Sequence, residues 1–356
     1  MNTIEVPVNI STSSRSVHLL RNELQEAWDD YVLQNPASSI FHLTAWKRLI
    51  EQIFGFEPRY LLAEDSGRIR GVLPLFLVSN PIIGRTLISS PFSVYGGVCA
   101  SDEEARSILL HAACAMARQD KVQYLELREQ RATAYPGFRT KTLYVTFQQE
   151  FPRTPEELLR GFPRDTRYMI RKAEKCGLSA VTDNQQLDIF YEIYAHSVRQ
   201  LGTPVFGKDF FKRLHAEFGD SCEITVVWHG AKAVAGALSF RFRDWILPYY
   251  GGSLMEGRAL AANNFLYWEV MKRALQRGLR HFDFGRSKIG TGAYAFKTQW
   301  SMREYTLPYQ YYLVRRKEMP NFSPANPRFK SAITIWRHLP LSLTKLLGPR
   351  LVRLFP

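Results

Sequence analysis

Apolar positions along this chain follow two patterns, and both patterns occur twice. In the stretch LYWEVMKRALQRG, Leu266, Val270 and Ala274, with Met271 and Leu275, recur at spacings of three and four. That spacing predicts a helix, and Gly278 supplies its stop. Ile108, Ala112 and Met116 make an equivalent stripe earlier in the chain. Each helical stretch is followed by a short, mostly apolar run, VQYLELR at 122–128 and LRHFDFGR at 279–286, which reads as a buried strand.

The patterns recur in register. IFHLTAWKRLIEQIFG (40–55) aligns with VFGKDFFKRLHAEFG (205–219), with Phe41 on Phe206 and Trp46 on Phe211. SGRIRGVLPLFLV (66–78) aligns with GAKAVAGALSFRF (230–242), each a turn between two apolar runs and hence a hairpin signal. VYGGV (94–98) aligns with YYGGS (249–253), each read as the end of a strand. The offset is 165 positions for the first two matches, 155 for the third and 158 for the strand runs that follow (Arg128 on Arg286), in unbroken order. The expectation is two copies of one α/β (α+β) unit, 1–150 and 151–320, followed by a tail at 321–356. Each copy reads as helix, hairpin, strand, helix, strand and further strand. For the YGG pairs, a structural turn that exploits glycine is the competing reading.

Composition narrows the class of partner. The 356 residues are 46% hydrophobic and carry a net charge of +14, which favours an anionic partner: nucleic acid, a phosphorylated substrate or an acidic membrane. Cys99, Cys114, Cys176 and Cys222 are scattered, without the spacing of a zinc site or a disulfide framework, and read as reduced thiols. MNTIEVPVNISTSS lacks the order of a signal peptide, no apolar run is long enough to span a bilayer, and no metal site is expected.

Two segments break the symmetry and carry chemistry. In RDTRYMIRKAEKCG, the predicted helix 164–176, Arg164, Arg167, Arg171 and Lys175 recur at spacings of three and four, a stripe about 16 Å long. Arg160 and Lys172 extend the charge, Asp165 and Glu174 oppose it, and Met169, Ile170 and Ala173 supply an inward side. A solvated basic face is the ordinary fate of such a run; bidentate arginine contacts to phosphate are the functional alternative. The second segment is FDFGRSKIGTGAYAFKTQW (282–300). From Phe284 through Arg303 the chain holds four bases, Arg286, Lys288, Lys297 and Arg303, and no acid.

Within that loop, Lys297 is the leading candidate, as a cation that neutralises a phosphate or a developing oxyanion; its alternative is a surface lysine lying along Phe296. Asp283 is a candidate to orient or deprotonate an attacking amine, or else to bind Arg286 and the strand end. Arg286 and Lys288 are candidate phosphate ligands. Tyr250, Gly251 and Gly252 are candidates to present backbone groups to an acyl donor. His42 and His196 have no nucleophile or carboxylate at a telling spacing, and Cys176 reads as an inert thiol.

RDTRYMIRKAEKCGL, YYGGSLMEGRALAANNFLYWEVMKRALQRGLRHFDFG and FKTQW together resemble the FemAB-like proteins of the GNAT acyltransferase superfamily, over nearly all of residues 20–320. The tail resembles that of a FemAB-related subgroup associated with PEP-CTERM/exosortase and exopolysaccharide systems. The resemblance implies tandem duplicated GNAT-like domains with mixed central sheets. It implies transfer of an amino acid from aminoacyl-tRNA to an amine of a cell-envelope or exopolysaccharide precursor, with no permanently bound cofactor. EGRALAANN (256–264) departs from the glycine-rich loop with which CoA-dependent relatives hold pyrophosphate at a helix N-terminus. An acyl-CoA donor acting on an amino sugar is therefore the second expectation, and a non-catalytic polysaccharide-, RNA- or membrane-binding module the third.

The tail at 321–356 holds six Lys or Arg and no Asp or Glu. It predicts short amphipathic helices broken at Pro340 and Gly348, which either cap the second domain or touch an anionic membrane. The expected location is cytoplasmic, with the tail as a peripheral contact on the inner face of the membrane.

Overall fold

The computed structural model describes residues 15–131, 135–320 and 327–356. The opening segment MNTIEVPVNISTSS and residues 321–326 of the tail lie outside the described residues. The chain divides into two compact units. One runs to Thr142 and takes back Leu307–Pro320 and Pro356; the other comprises Leu143–Thr306 and Asn321–Phe355.

The first unit places the helices Gln25–Gln34 and Thr44–Phe54 ahead of the antiparallel strands Leu61–Asp65 and Arg68–Leu73. Ser66 and Gly67, both with positive φ, make the turn. Pro74, which has no N–H to donate, separates Arg68–Leu73 from Leu75–Asn80. The helix Glu103–Gln119 buries Ala105, Leu109, Ala112, Ala113 and Met116 against the apolar core that includes Leu61, Leu73 and Leu125. Its N-cap is Asp102, whose side chain accepts from the Ala105 N–H. The YGG of this copy is not a strand end. Tyr95–Gly97 is irregular, ahead of the two-residue strand Cys99–Ala100. Any side chain at Gly96 would meet Ser90, and one at Gly97 would meet the Glu129 carboxylate, so packing accounts for both glycines.

The second unit repeats that order of elements. Helices Leu187–Leu201 and Lys208–Phe218 precede the long hairpin of Cys222–His229 and Lys232–Phe242. Next come Trp245–Ser253, the helix Ala262–Gln276 and the strand His281–Asp283. Trp245–Ser253 and His281–Asp283 are parallel, so the helix between them is the required crossover. Beyond His281–Asp283 lies the strand Phe138–Glu150, antiparallel to it through Gln148–Glu150.

Alternation along Lys232–Phe242 sorts the two faces. At Gly236 a Cβ would touch Phe190 and Ile193 of the first helix of this unit. Ala235 and Ala237 belong instead to the core formed with Ile170, Ala173, Val270 and Met271. The Leu187–Leu201 helix therefore covers one face, and the basic and crossover helices cover the other.

The tail packs on this unit. In Pro327–His338, Trp336 Nε1 donates to the Thr203 carbonyl at 3.1 Å. In Leu341–Val352, Lys345 pairs with Glu192 at 2.5 Å. Pro340 does separate the two helices, but Gly348 does not break the second. It lies inside Leu341–Val352 and is buried where a Cβ would stand 2.6 Å from the Val205 carbonyl. Its glycine is explained by that close approach.

Gly252 makes a similar approach within Trp245–Ser253. A Cβ there would stand 2.4 Å from the Ser197 Cβ, whereas at Gly251 the nearest atom, the Gly236 carbonyl oxygen, would be 3.3 Å away. Gly252→Ala is expected to cost about 1–3 kcal/mol of stability by overpacking, and Gly251→Ala less. Urea denaturation measures both. Ser197→Gly in the Gly252→Ala background should recover part of the loss; full additivity of the two changes would contradict this contact.

Candidate active site

The chemistry of the second unit gathers where two strands part. Trp245–Ser253 pairs with His281–Asp283 only at Trp245–His281 and Ile246–Phe282. From Leu247 to Ser253 that edge has no strand partner among the described residues, while the opposite edge stays paired to Lys232–Phe242 as far as Ser253. A register irregularity between Leu238 and Ser239 leaves Tyr249 without an opposite residue, which turns the strand locally. One side of the opening is thus a bare strand edge carrying Tyr250, Gly251 and Gly252. The other is the strand end at Asp283 and the loop that follows it.

Asp283 is 3% exposed. It accepts hydrogen bonds from Thr146 Oγ1 at 2.5 Å, Gln148 Nε2 at 2.9 Å and the Gly285 N–H at 2.7 Å. Thr146 and Gln148 come from the neighbouring strand Phe138–Glu150, so a remote segment orients this carboxylate. Gly285 has φ +67, the left-handed region that lets the chain fold its N–H back onto Asp283.

Lys297 is not a surface lysine. It is 9% exposed, on the short helix Gly292–Thr298 that Thr291 caps. Its Nζ donates to the carbonyls of Phe284 at 2.7 Å, Gly285 at 3.0 Å and Arg286 at 3.5 Å. The ammonium therefore holds the loop from beneath, and its protons point at backbone. Burial pulls its pKa down to about 8; Asp283 opposes that shift and Arg286 adds to it. Trp300, buried against Phe162 and Phe284, closes the floor.

The remaining candidates spread around this point. Arg286 is exposed and stacks over the Tyr144 ring at 4.9 Å. Lys288 is half-buried and lies opposite Tyr144 in the ladder. Tyr250 faces an aromatic wall of Tyr194, Phe206, Phe210 and Phe211. Its buried hydroxyl has no hydrogen-bond partner among the described residues. Burial pushes its pKa up, and Arg286 partly opposes this.

The basic helix is Arg164–Lys175. Ile170 and Ala173 are buried and Met169 packs behind them, while Thr166 Oγ1 donates to the Gln299 carbonyl at 2.6 Å. Arg167 leaves the basic stripe. It turns back to donate to the carbonyls of Arg160 at 3.0 Å and Phe162 at 2.7 Å, closing the end of the helix Pro155–Gly161. Arg164, Arg171 and Lys175 remain exposed, and Tyr168, 65% exposed, stands among them.

In EGRALAANN, Gly257 is held by packing, since a Cβ would stand 2.7 Å from the Val234 carbonyl. Ala261, with φ +58, starts the crossover helix, whose first turn has no acid. Asn264 is 6% exposed, and its Nδ2 is unpartnered among the described residues.

These features define a tandem GNAT-like fold, α/β with mixed sheets. Residues 160–298 match the model of the acetyltransferase (GNAT) domain. FemX is similar at 16% identity, TM-score 0.68, over 89% of this chain and 100% of that one. A tandem GNAT protein from the clavulanic acid biosynthesis pathway is similar at 12% identity, TM-score 0.52, over 86% and 99%. The C-terminal domain assigned to a lysylphosphatidylglycerol synthetase of Agrobacterium fabrum is similar at 15% identity, TM-score 0.54, over 88% and 94%. No curated protein sequence matches the chain.

Thr146 and Gln148 were not legible as site residues, because only the sheet brings them to Asp283. Tyr168 was passed over too, although its spacing, four residues after Arg164 and three before Arg171, sets it on the basic stripe.

The buried ammonium makes a pH prediction. Because the folded pKa of Lys297 lies below its ordinary value, the unfolded chain binds the extra proton between pH 8 and 10.5. Relative to Lys297→Met, the wild-type protein should gain stability as pH rises through that window, by at most about 1.4 kcal/mol per unit. Denaturation at several pH values tests this; a flat difference would mean that the ammonium is not held in the desolvated setting described.

Proposed function

We infer that this chain is an acyltransferase of the aminoacyl type, which moves an amino acid from aminoacyl-tRNA to an amine of a cell-envelope or exopolysaccharide precursor. The observation that carries the reading is the oriented carboxylate of Asp283, set where the two parallel strands part and beside the loop held by Lys297. In this mechanism the acceptor amine lies at Asp283, which orients it and takes its proton. The nitrogen attacks the ester carbonyl, the C–N bond forms, and the C–O bond to the ribose breaks. Asp283 returns the proton it took to the departing ribose oxygen, which leaves as a hydroxyl. The positive charge of Lys297, transmitted through a rigid loop, favours the developing oxyanion, and Arg286 and Lys288 hold phosphate.

Two observations support an RNA-borne donor. Gly257 is filled by the Val234 carbonyl and Ala262, so its missing side chain serves packing and opens no phosphate cradle. Exposed Arg164, Arg171 and Lys175 add a basic surface within the same unit. A second reading, an acyl-CoA donor for an amino sugar, is favoured by the acid-free first turn of Ala262–Gln276 and the unpartnered Asn264 amide.

The proposed location is cytoplasmic. No helix among the described residues is long and apolar enough to cross a membrane. The tail, with Ile335 62% and Leu346 65% exposed beside Arg350, would be the contact with the inner membrane face.

A transfer assay tests the reading. A tRNA pool charged with radiolabelled amino acids is mixed with the protein and an extract of its own cells, and RNase-resistant label is counted. Label should appear with the wild-type protein and fall about a hundredfold or more with Asp283→Asn. No transfer with intact charged tRNA, together with label moved from acyl-CoA, would replace the first reading by the second.

A further inference from the structure

The exposed face of the basic helix has a composition that a solvated surface does not require. Arg164, Tyr168, Arg171 and Lys175 follow at spacings of four, three and four. At 3.6 residues per turn they lie within about 60° of one another around the axis. The buried Thr166, Ile170 and Ala173 lie on the opposite side. Among the described residues, none of the four side chains makes a hydrogen bond, an ion pair or a ring contact, although Asp165 and Glu174 share the helix. Tyr168 exposes 65% of its surface and stacks on no other ring among the described residues. A large ring left bare between unpaired cations points to a ligand with both a flat face and phosphates.

We propose that this face is the dock for a single-stranded RNA segment, with one base stacked on Tyr168 and the flanking phosphates held by Arg164 on one side and by Arg171 and Lys175 on the other. The order of charges selects that ligand. At 1.5 Å per residue, Arg164 precedes the ring by about 6 Å along the axis, and Arg171 and Lys175 follow it by about 4.5 and 10.5 Å. Cations on both sides of the ring suit a backbone that arrives and leaves. A nucleotide diphosphate sugar carries its phosphates on one side of its base only. A duplex hides its base faces, so stacking on Tyr168 requires an unpaired strand. A membrane surface would need an apolar face, and the apolar side of this helix is turned into the core. The inference rests on the reading of an RNA-borne donor, and it assigns the part of the chain that holds the donor's unpaired end.

The test uses the full-length protein and uncharged RNA, so it does not depend on transfer. Fluorescence anisotropy compares a labelled RNA hairpin bearing a four-nucleotide 3′ extension with the same hairpin blunt-ended. The extended hairpin should bind at least about tenfold tighter. Tyr168→Ala should weaken it by about 5- to 150-fold, and Tyr168→Phe should restore the affinity because the ring is what stacks. Arg164→Gln and Arg171→Gln should each reduce the slope of log affinity against log salt by about 0.7. These positions are exposed, and circular dichroism melts confirm that the variants fold.

Equal binding of blunt and extended hairpins, or unchanged affinity in Tyr168→Ala, would overturn the proposal. So would a loss in that variant confined to a nucleotide diphosphate sugar, or one confined to anionic vesicles. If charged RNA is a substrate and Tyr168→Ala leaves its KM unchanged, the dock falls while the donor reading stands. If RNA binds through Tyr168 and no transfer occurs, the dock stands and the donor reading falls.

Discussion

A positive charge buried beneath a loop must be solvated by the protein, and here the backbone does it. The carbonyls of Phe284, Gly285 and Arg286 converge on the Lys297 ammonium. Three consecutive carbonyls point to one side only if the chain turns sharply, and the positive φ of Gly285 supplies the turn. The same turn aims the Gly285 N–H at Asp283. The cation, the turn and the carboxylate are therefore one arrangement. Loss of the ammonium leaves carbonyls without donors, which costs more than the bonds themselves are worth in water.

Around that arrangement the second unit is organised by close approaches. Gly252 admits the helix carrying Ser197, Gly257 admits the Val234 carbonyl, and Gly348 admits the tail against Val205. In each case the missing side chain is where another backbone or helix sits. Gly252 of YYGGS and Gly257 of EGRALAANN thus have packing reasons of their own. The candidate residues lie beside them, on the strand edge from Leu247 onward and on the loop after Asp283.

Much of this organisation was legible in the residues. Apolar periodicity located the crossover helix, and the recurrence of Lys-Arg-Leu and of the hairpin pattern exposed the duplicated order of elements, whereas YGG ends a strand only in the second copy. The basic helix was plain from its spacing, as was its inward side of Ile170 and Ala173. Other features were hidden because they depend on distant segments. Nothing local links Thr146 or Gln148 to Asp283. The burial of Lys297 depends on where Phe284–Arg286 and Trp300 settle, and neighbouring aromatics alone read equally well as a surface contact. Arg167 looked like a member of the stripe because periodicity cannot tell a free guanidinium from one that closes the preceding helix. Gly348 read as a breaker because the isolated residue disfavours helix, while the Val205 contact that retains it is tertiary.

The division of the chain has a consequence for its synthesis. The first unit's strand Tyr124–Leu127 pairs with residues Gln310–Leu313, which follow the whole crossover region of the second unit. On the ribosome, the earlier half can pair one edge of that strand with Gly84–Ser89, but its other edge must wait until the later half has been made. At typical elongation rates of about 5–20 residues per second, the gap between Leu127 and Gln310 corresponds to roughly 10–40 seconds of exposed sheet edge. A nascent chain of this kind has reason to be shielded by a holding chaperone, and truncation anywhere before Leu307 would leave both units incomplete.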